Sequence, residues 1–304
     1  MRIFHVIIKP LWILVIITMT LLCGNAVWLI WDQWRLKALQ SKEEEELTDL
    51  LVESALVTDE NPHQIRVALF DAGLDDGTAT KDLKRILGAE PTIVWKSISS
   101  SELQSEALKD SDIVIFPGGR SSIQGEALGD YGKEIVRKFV RTGGGYVGIC
   151  GGAFLATTNY DWGMDLVNAE PMARTIDVPG NETASMAARG VGMVKMELTH
   201  AGRMVLGDVS GWLDIRYTGG PIVSPAERND LPGYVCLGVF RTELWQFEPQ
   251  RGTMINTPAI IAGRFGKGRV ILFSPHPEMT EGLEFLVRQA ILATARSPSV
   301  HGDP

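Results

Sequence analysis

The sequence predicts an α/β fold: a mostly parallel sheet with helices on both faces, preceded by a single transmembrane helix. Three observations predict it. From Gln64 onward, short apolar runs alternate with helical stretches, the pattern of strand–helix–strand units in a parallel sheet covered on both sides. Several of those runs end in glycine-rich or polar turns. Near the N-terminus, residues 10–31 form one apolar stretch long enough to cross a bilayer as a helix.

Residues 1–9 are a short basic tail. From Pro10 to Trp31 the chain reads PLWILVIITMTLLCGNAVWLIW, uncharged, with Asn25 its one strongly polar residue. Trp12, Trp28, Trp31 and Trp34 sit toward the two ends, where aromatic rings favour the interface. A cleaved signal peptide competes, since Gly24 and Ala26 offer small residues at a cleavage site. The continuing run VWLIW favours an uncleaved anchor. A lipoprotein site at Cys23 is disfavoured by the bulk of Leu22. Arg2 and Lys9 on one side nearly balance Arg35, Lys37 and Lys42 on the other. The short basic N-terminus leans toward a domain on the extracytoplasmic side. Residues 32–63, with a glutamate run and scattered leucines, read as a solvated, helical, acidic stalk ending at Asn61 and Pro62.

The domain is expected over residues 64–297, with a frayed tail at 298–304. Ile65 to Asp71, Pro91 to Ile98, Asp112 to Phe116 and Gly145 to Ile149 read as strands. Between them, Thr78 to Leu87, Ser101 to Lys109 (Ser100 a candidate cap) and Ala127 to Thr142 read as helices. The middle of the chain has less order, with shorter strands at Met193 to Leu198 and Ile215 to Tyr217. Strands follow at Tyr234 to Phe240, Ala259 to Gly263 and Arg269 to Phe273, the last two joined by a tight turn at FGKG. A final helix is expected from Glu281 to Ala295.

A net charge of −8 argues against a nucleic-acid partner, which would need a basic stripe to replace counterions. Three cysteines are too few for a disulfide framework. No residues show metal-ligand spacing, and the Gly263 to Gly268 stretch lacks the Ser or Thr that a phosphate loop places after its Lys. Neither metal nor cofactor is expected. Asn181-Glu182-Thr183 matches a glycosylation sequon of a kind that arises easily by chance.

Three segments could carry chemistry. In Gly148-Ile149-Cys150-Gly151-Gly152 a buried strand runs into a cysteine flanked by small residues. Such a strand-to-helix turn holds one side chain above the sheet, and the helix N-terminus favours negative charge there. The Gly151 N–H would then face a developing oxyanion. The bland alternative is a buried cysteine beside a glycine turn. In Ser274-Pro275-His276-Pro277-Glu278, a histidine follows a buried strand and precedes a carboxylate by two residues. That suits a base and the group that orients it; a cap or a surface histidine is the alternative. In Pro117-Gly118-Gly119-Arg120, glycines after the third strand free backbone N–H groups, and Gly119 is the candidate second oxyanion donor. An ordinary turn fits this loop equally well. Tyr217, Gly219 and Gly220 could line the pocket with Gly118, Arg120 and Phe154, or form a plain turn. Asp71 could bind a polar group or cap a turn.

FPGGR, GGGYVGICGGAFLAT, Tyr217-Thr218-Gly219-Gly220-Pro221 and GKGRVILFSPHPE together resemble the class I glutamine amidotransferases. More narrowly, they resemble the amidotransferase-like domain at the N-terminus of biotin-protein ligases. The resemblance implies a flavodoxin-like sheet and a triad with Cys150 as nucleophile, His276 as base and Glu278 as its orienter. One departure bears on substrate. Glutaminases usually carry Gln four residues after the nucleophile, where this chain has Phe154. No biotin-ligase signature is present.

The expected activity is that of a membrane-anchored cysteine amidase or hydrolase acting through a thioester. Its substrate would be a small-molecule or peptide amide. Two rivals stay open: a catalytically silent binding or regulatory module, and a glutaminase subunit feeding a protein partner. Thiol reactivity separates the first rival from the enzyme, and ammonia release from glutamine tests the second.

Overall fold

The computed structural model describes residues 41–56, 64–73, 78–172, 190–244 and 252–295. The chain divides into two compact units, Met1–Glu45 and Glu46–Pro304. In the first, residues 41–45 are helical. The transmembrane segment expected at 10–31 lies outside the described residues, as do the sequon and the C-terminal tail. Among the described residues, no helix is long and apolar enough to cross a membrane.

The second unit begins in a helix, α1 (46–56), that belongs to the core. Leu51 is fully buried, Leu47 nearly so, and Ser54 Oγ donates to Leu292 O. The stalk reading took the glutamates as the mark of a solvated helix. Here the leucines, one turn apart, supply a buried stripe along one side.

The elements that follow are β1 (Ile65–Phe70), α2 (Thr78–Ala89), β2 (Ile93–Ile98), α3 (Ser100–Gln104), β3 (Ile113–Phe116), α4 (Ser121–Arg141), β4 (Gly145–Ile149) and α5 (Gly151–Ala156). Then come β5 (Ala169–Pro171), β6 (Gly192–Leu198), α6 (His200–Leu206), β7 (Trp212–Tyr217), β8 (Val223–Pro225), β9 (Tyr234–Phe240), β10 (Pro258–Phe265), β11 (Gly268–Phe273), a 3₁₀ turn (Pro277–Met279) and α7 (Glu284–Thr294).

Nine strands form one sheet in the order β2-β1-β3-β4-β11-β10-β9-β6-β7. The first five are parallel neighbours, in the order of a flavodoxin-like sheet. The remaining strands add antiparallel pairs, beginning with the β10–β11 hairpin closed at Phe265 and Gly268. β5 and β8 pair separately. Alternate residues of the central strands feed two cores, one on each face. Ile113 and Ile115 of β3 belong to the core that α1, α2, α6 and α7 line, while Val114 and Phe116 belong to the one lined by α3, α4 and α5.

Two boundaries differ from expectation for physical reasons. α3 is capped by Ser99, not Ser100. Ser99 accepts from the Glu102 N–H and the Glu102 carboxylate accepts from the Ser99 N–H at 2.8 Å, a reciprocal box that the glutamate selects among the serines. α4 starts at Ser121, before the expected Ala127, and breaks at Gly129, whose φ of 61° is not helical. Glycines in its first half hide that half from propensity, but Gly125 lies so close to Trp162 that a Cβ would stand 2.4 Å from the Trp162 carbonyl oxygen.

Candidate active site

β3, β4 and β11 are neighbours in the sheet, so their carboxyl ends deliver three loops to one place. β4 ends at Ile149, and Cys150 follows with φ 50° and ψ −101°, a conformation that L-residues rarely adopt. Packing over-determines it. The Cys150 N–H donates to Phe273 O at 2.8 Å, the Gly152 N–H to Pro117 O at 3.1 Å, and the Tyr146 hydroxyl to Gly152 O at 2.7 Å. A Cβ on Gly151 would stand 2.2 Å from Gly119 O, and one on Gly152 would stand 2.1 Å from Phe116 O. The β3 loop thus lies directly against the first turn of α5, which only glycine permits. Gly151 opens that helix, where first-turn N–H groups have no intrahelical acceptor, and Gly119 is its immediate neighbour.

His276 follows β11, and its main chain is clamped. Its N–H donates to Arg216 O at 2.8 Å, its carbonyl accepts from Thr280 Oγ1 at 2.7 Å, and Thr280 Oγ1 accepts from the Arg216 N–H at 3.1 Å. The ring is pinned as well. Nδ1 lies 2.6 Å from Glu278 Oε1, Nε2 lies 2.5 Å from Thr218 Oγ1, and Gly118 is packed against Cε1. Glu278 is fully buried, and its other oxygen, Oε2, has no partner among the described residues. Arg216 and His276 form a bridge between the end of β7 and the chain after β11. The last strand of the sheet order therefore returns to the site and brings Thr218 with it.

Burial opposes a charged imidazole. The electrostatic and hydrogen-bonding influence of Cys150, together with the Glu278 carboxylate, outweighs it, and the His276 pKa is pushed up to about 10. Cys150 is thus close enough to act on the ring electrostatically. Its thiol itself is directed at Thr218 O, 4.0 Å away, so sulfur and ring share Thr218 as a neighbour.

Residues 77–176 match the model of the family described as "Biotin-protein ligase, N terminal". The match covers about a third of the chain. No curated protein matches the sequence. Solved structures share the fold at low identity. PurLQS from Thermotoga maritima is 14% identical over 75% of this chain and 98% of its own, with a TM-score of 0.51. A ThuA-like protein from Bacteroides uniformis is 12% identical over 76% and 91%, also at 0.51.

Cys150, His276, Glu278, Gly118, Gly119 and Gly151 come together as described above. Arg120 is exposed at the start of α4 and makes no side-chain cap. Phe154 lies one turn beyond Cys150, buried, with its ring edge-on to Tyr160 at 6.2 Å. Tyr217, a candidate either for the pocket wall or for a plain turn, lies fully in the core. Its ring packs edge-on to Phe240 and its hydroxyl donates to Gly220 O at 2.8 Å. Strand alternation explains this, since Ile215 and Tyr217 share the fully buried face and half-buried Arg216 lies on the other. Gly219, at φ 86°, and Gly220, tight against Ser274 O, shape the turn that carries Thr218. Asp71 caps a turn at the Gly73 N–H and pairs with Lys84. Sequence reasoning missed Thr218 and Thr280. Thr218 lay inside a singled-out stretch, but nothing in it marked the hydroxyl rather than the glycines. Among the described residues, no His, Cys, Asp and Glu group could hold a metal ion.

Proposed function

We propose that this domain is a cysteine-dependent amidase or hydrolase acting through a thioester, held at a membrane by residues 10–31 with the domain on the extracytoplasmic side. His276 Nε2 takes the Cys150 proton, and the sulfur forms a bond to the substrate carbonyl carbon. The N–H groups of Gly119 and Gly151 hold the oxyanion. His276 then returns the proton to the leaving amine as the C–N bond breaks. Water, deprotonated by the same ring, hydrolyses the thioester. Glu278 keeps Nδ1 protonated and steadies the charged ring.

One observation carries this reading: a buried carboxylate–imidazole pair, 2.6 Å apart, beside a cysteine held at positive φ. The silent-module reading draws on one observation of its own, that Cys150 is only 7% exposed.

Alkylation separates the two. With iodoacetamide at mildly acidic pH, Cys150 is expected to react far faster than Cys236, whose thiol donates to Gly238 O. Equal, slow labelling of both would leave the silent module. A glutaminase role requires ammonia release from glutamine, which Phe154 disfavours. A reporter fused to the C-terminus reads the membrane side.

A further inference from the structure

We propose that Thr218 is a positioning residue of the nucleophile pair, its hydroxyl holding imidazole Nε2 while its carbonyl faces the Cys150 sulfur. The inference rests on the triad reading above. Nε2 is the nitrogen that must exchange a proton with the thiol, because Nδ1 is committed to Glu278 at 2.6 Å. Thr218 Oγ1 stands 2.5 Å from that same Nε2, and Thr218 O stands 4.0 Å from Cys150 Sγ. One residue therefore touches both ends of the proton's path.

The proton balance assigns the hydroxyl two roles. When the ring is charged, its state at neutral pH with so raised a pKa, Oγ1 accepts from the Nε2–H. When the ring has given that proton up, Nδ1 keeps its own, and the hydroxyl rotates to donate to the Nε2 lone pair. A hydrogen bond made to the charged ring favours that ring, and so favours the thiolate beside it. The hydroxyl also stops the ring from turning away while the sulfur is occupied with substrate.

Thr218 is well held for such a task. Gly219 at φ 86° and Gly220 against Ser274 O fix the turn, and the Arg216–His276 bridge fixes the strand that leads into it. Its carbonyl accepts only a long contact from sulfur, so the thiol is free to leave it for a substrate carbonyl.

The test is the pH profile of Cys150 alkylation by iodoacetamide in the full chain. Thr218→Val is expected to move the midpoint of rapid labelling up by about one pH unit, a roughly tenfold slower rate at a fixed pH below it. Thr218→Ser is expected to restore the wild-type midpoint. Thr218→Ala, which adds no bulk, reads the same shift if the Val variant does not fold. An unchanged midpoint in folded Val or Ala variants, or a midpoint that falls, overturns the proposal. So does a Ser variant that behaves like Val. If wild-type Cys150 itself labels no faster than Cys236, the triad reading fails first, which keeps the two failures apart.

Discussion

Gly118→Ala tests the geometry of the site with a single methyl group. Gly118 does not occupy the left-handed region, so alanine costs nothing in backbone conformation there. The added Cβ would stand 2.6 Å from His276 Cε1 and 3.4 Å from Nδ1. Ordinary carbon contacts begin near 3.5 Å, so the ring must retreat by about 0.9 Å. It has little freedom to do so, being held through Nδ1 by Glu278, through Nε2 by Thr218 and through its main chain by Arg216 and Thr280. A retreat of that size stretches the 2.6 Å bond to Glu278 to the edge of hydrogen bonding. Overpacking of this kind costs about 1–3 kcal/mol. In a domain of this length each kcal/mol lowers Tm by roughly 2–4 °C. A misplacement near 1 Å costs about a hundredfold in a reaction that depends on the ring. The assay is the Cys150 alkylation rate beside a thermal melt, with Gly233→Ala as control, because a Cβ there meets nothing within 4 Å. If Gly118→Ala matched Gly233→Ala in both rate and Tm, the packed, pinned imidazole would be refuted.

Three further outcomes follow from the same structure. His276 has a folded pKa raised from the ordinary 6.5 to about 10, so its contribution to stability is complete below pH 6.5 and is lost as pH rises through about 10. Tm should decline across that window, and Cys150→Ala, which removes the largest influence raising the pKa, should flatten the decline more than Glu278→Gln; an equal slope in all three proteins would remove these partners as its cause. Ser99→Ala should cost about 1 kcal/mol in denaturant unfolding whereas Ser100→Ala costs little, since only Ser99 closes the box with Glu102. Leu51→Ala should cost about 2–5 kcal/mol, as Leu51 is fully buried in the core, and a neutral result would return that helix to solvent.

The sequence by itself determined the parallel half of the sheet. Runs such as Ile113 to Phe116 and Gly145 to Ile149 are free of charge at successive positions, and a strand buried on both faces leaves that local mark. It also marked Cys150, His276 and Glu278, because a reactive group at a strand end with small or turn-forming neighbours is a local pattern. Tertiary structure alone decided which residues meet the imidazole's second nitrogen. β7 reaches His276 only because β6, β9 and β10 extend the sheet beyond β11 and bring its last strand back, a pairing across 60 residues between Arg216 and His276 that no local pattern encodes. The same holds for Tyr217, whose place in the core rather than the pocket wall was fixed by which face of β7 turned inward. Periodicity states that alternate residues of a strand face opposite ways. Only packing against the rest of the chain states which way is in.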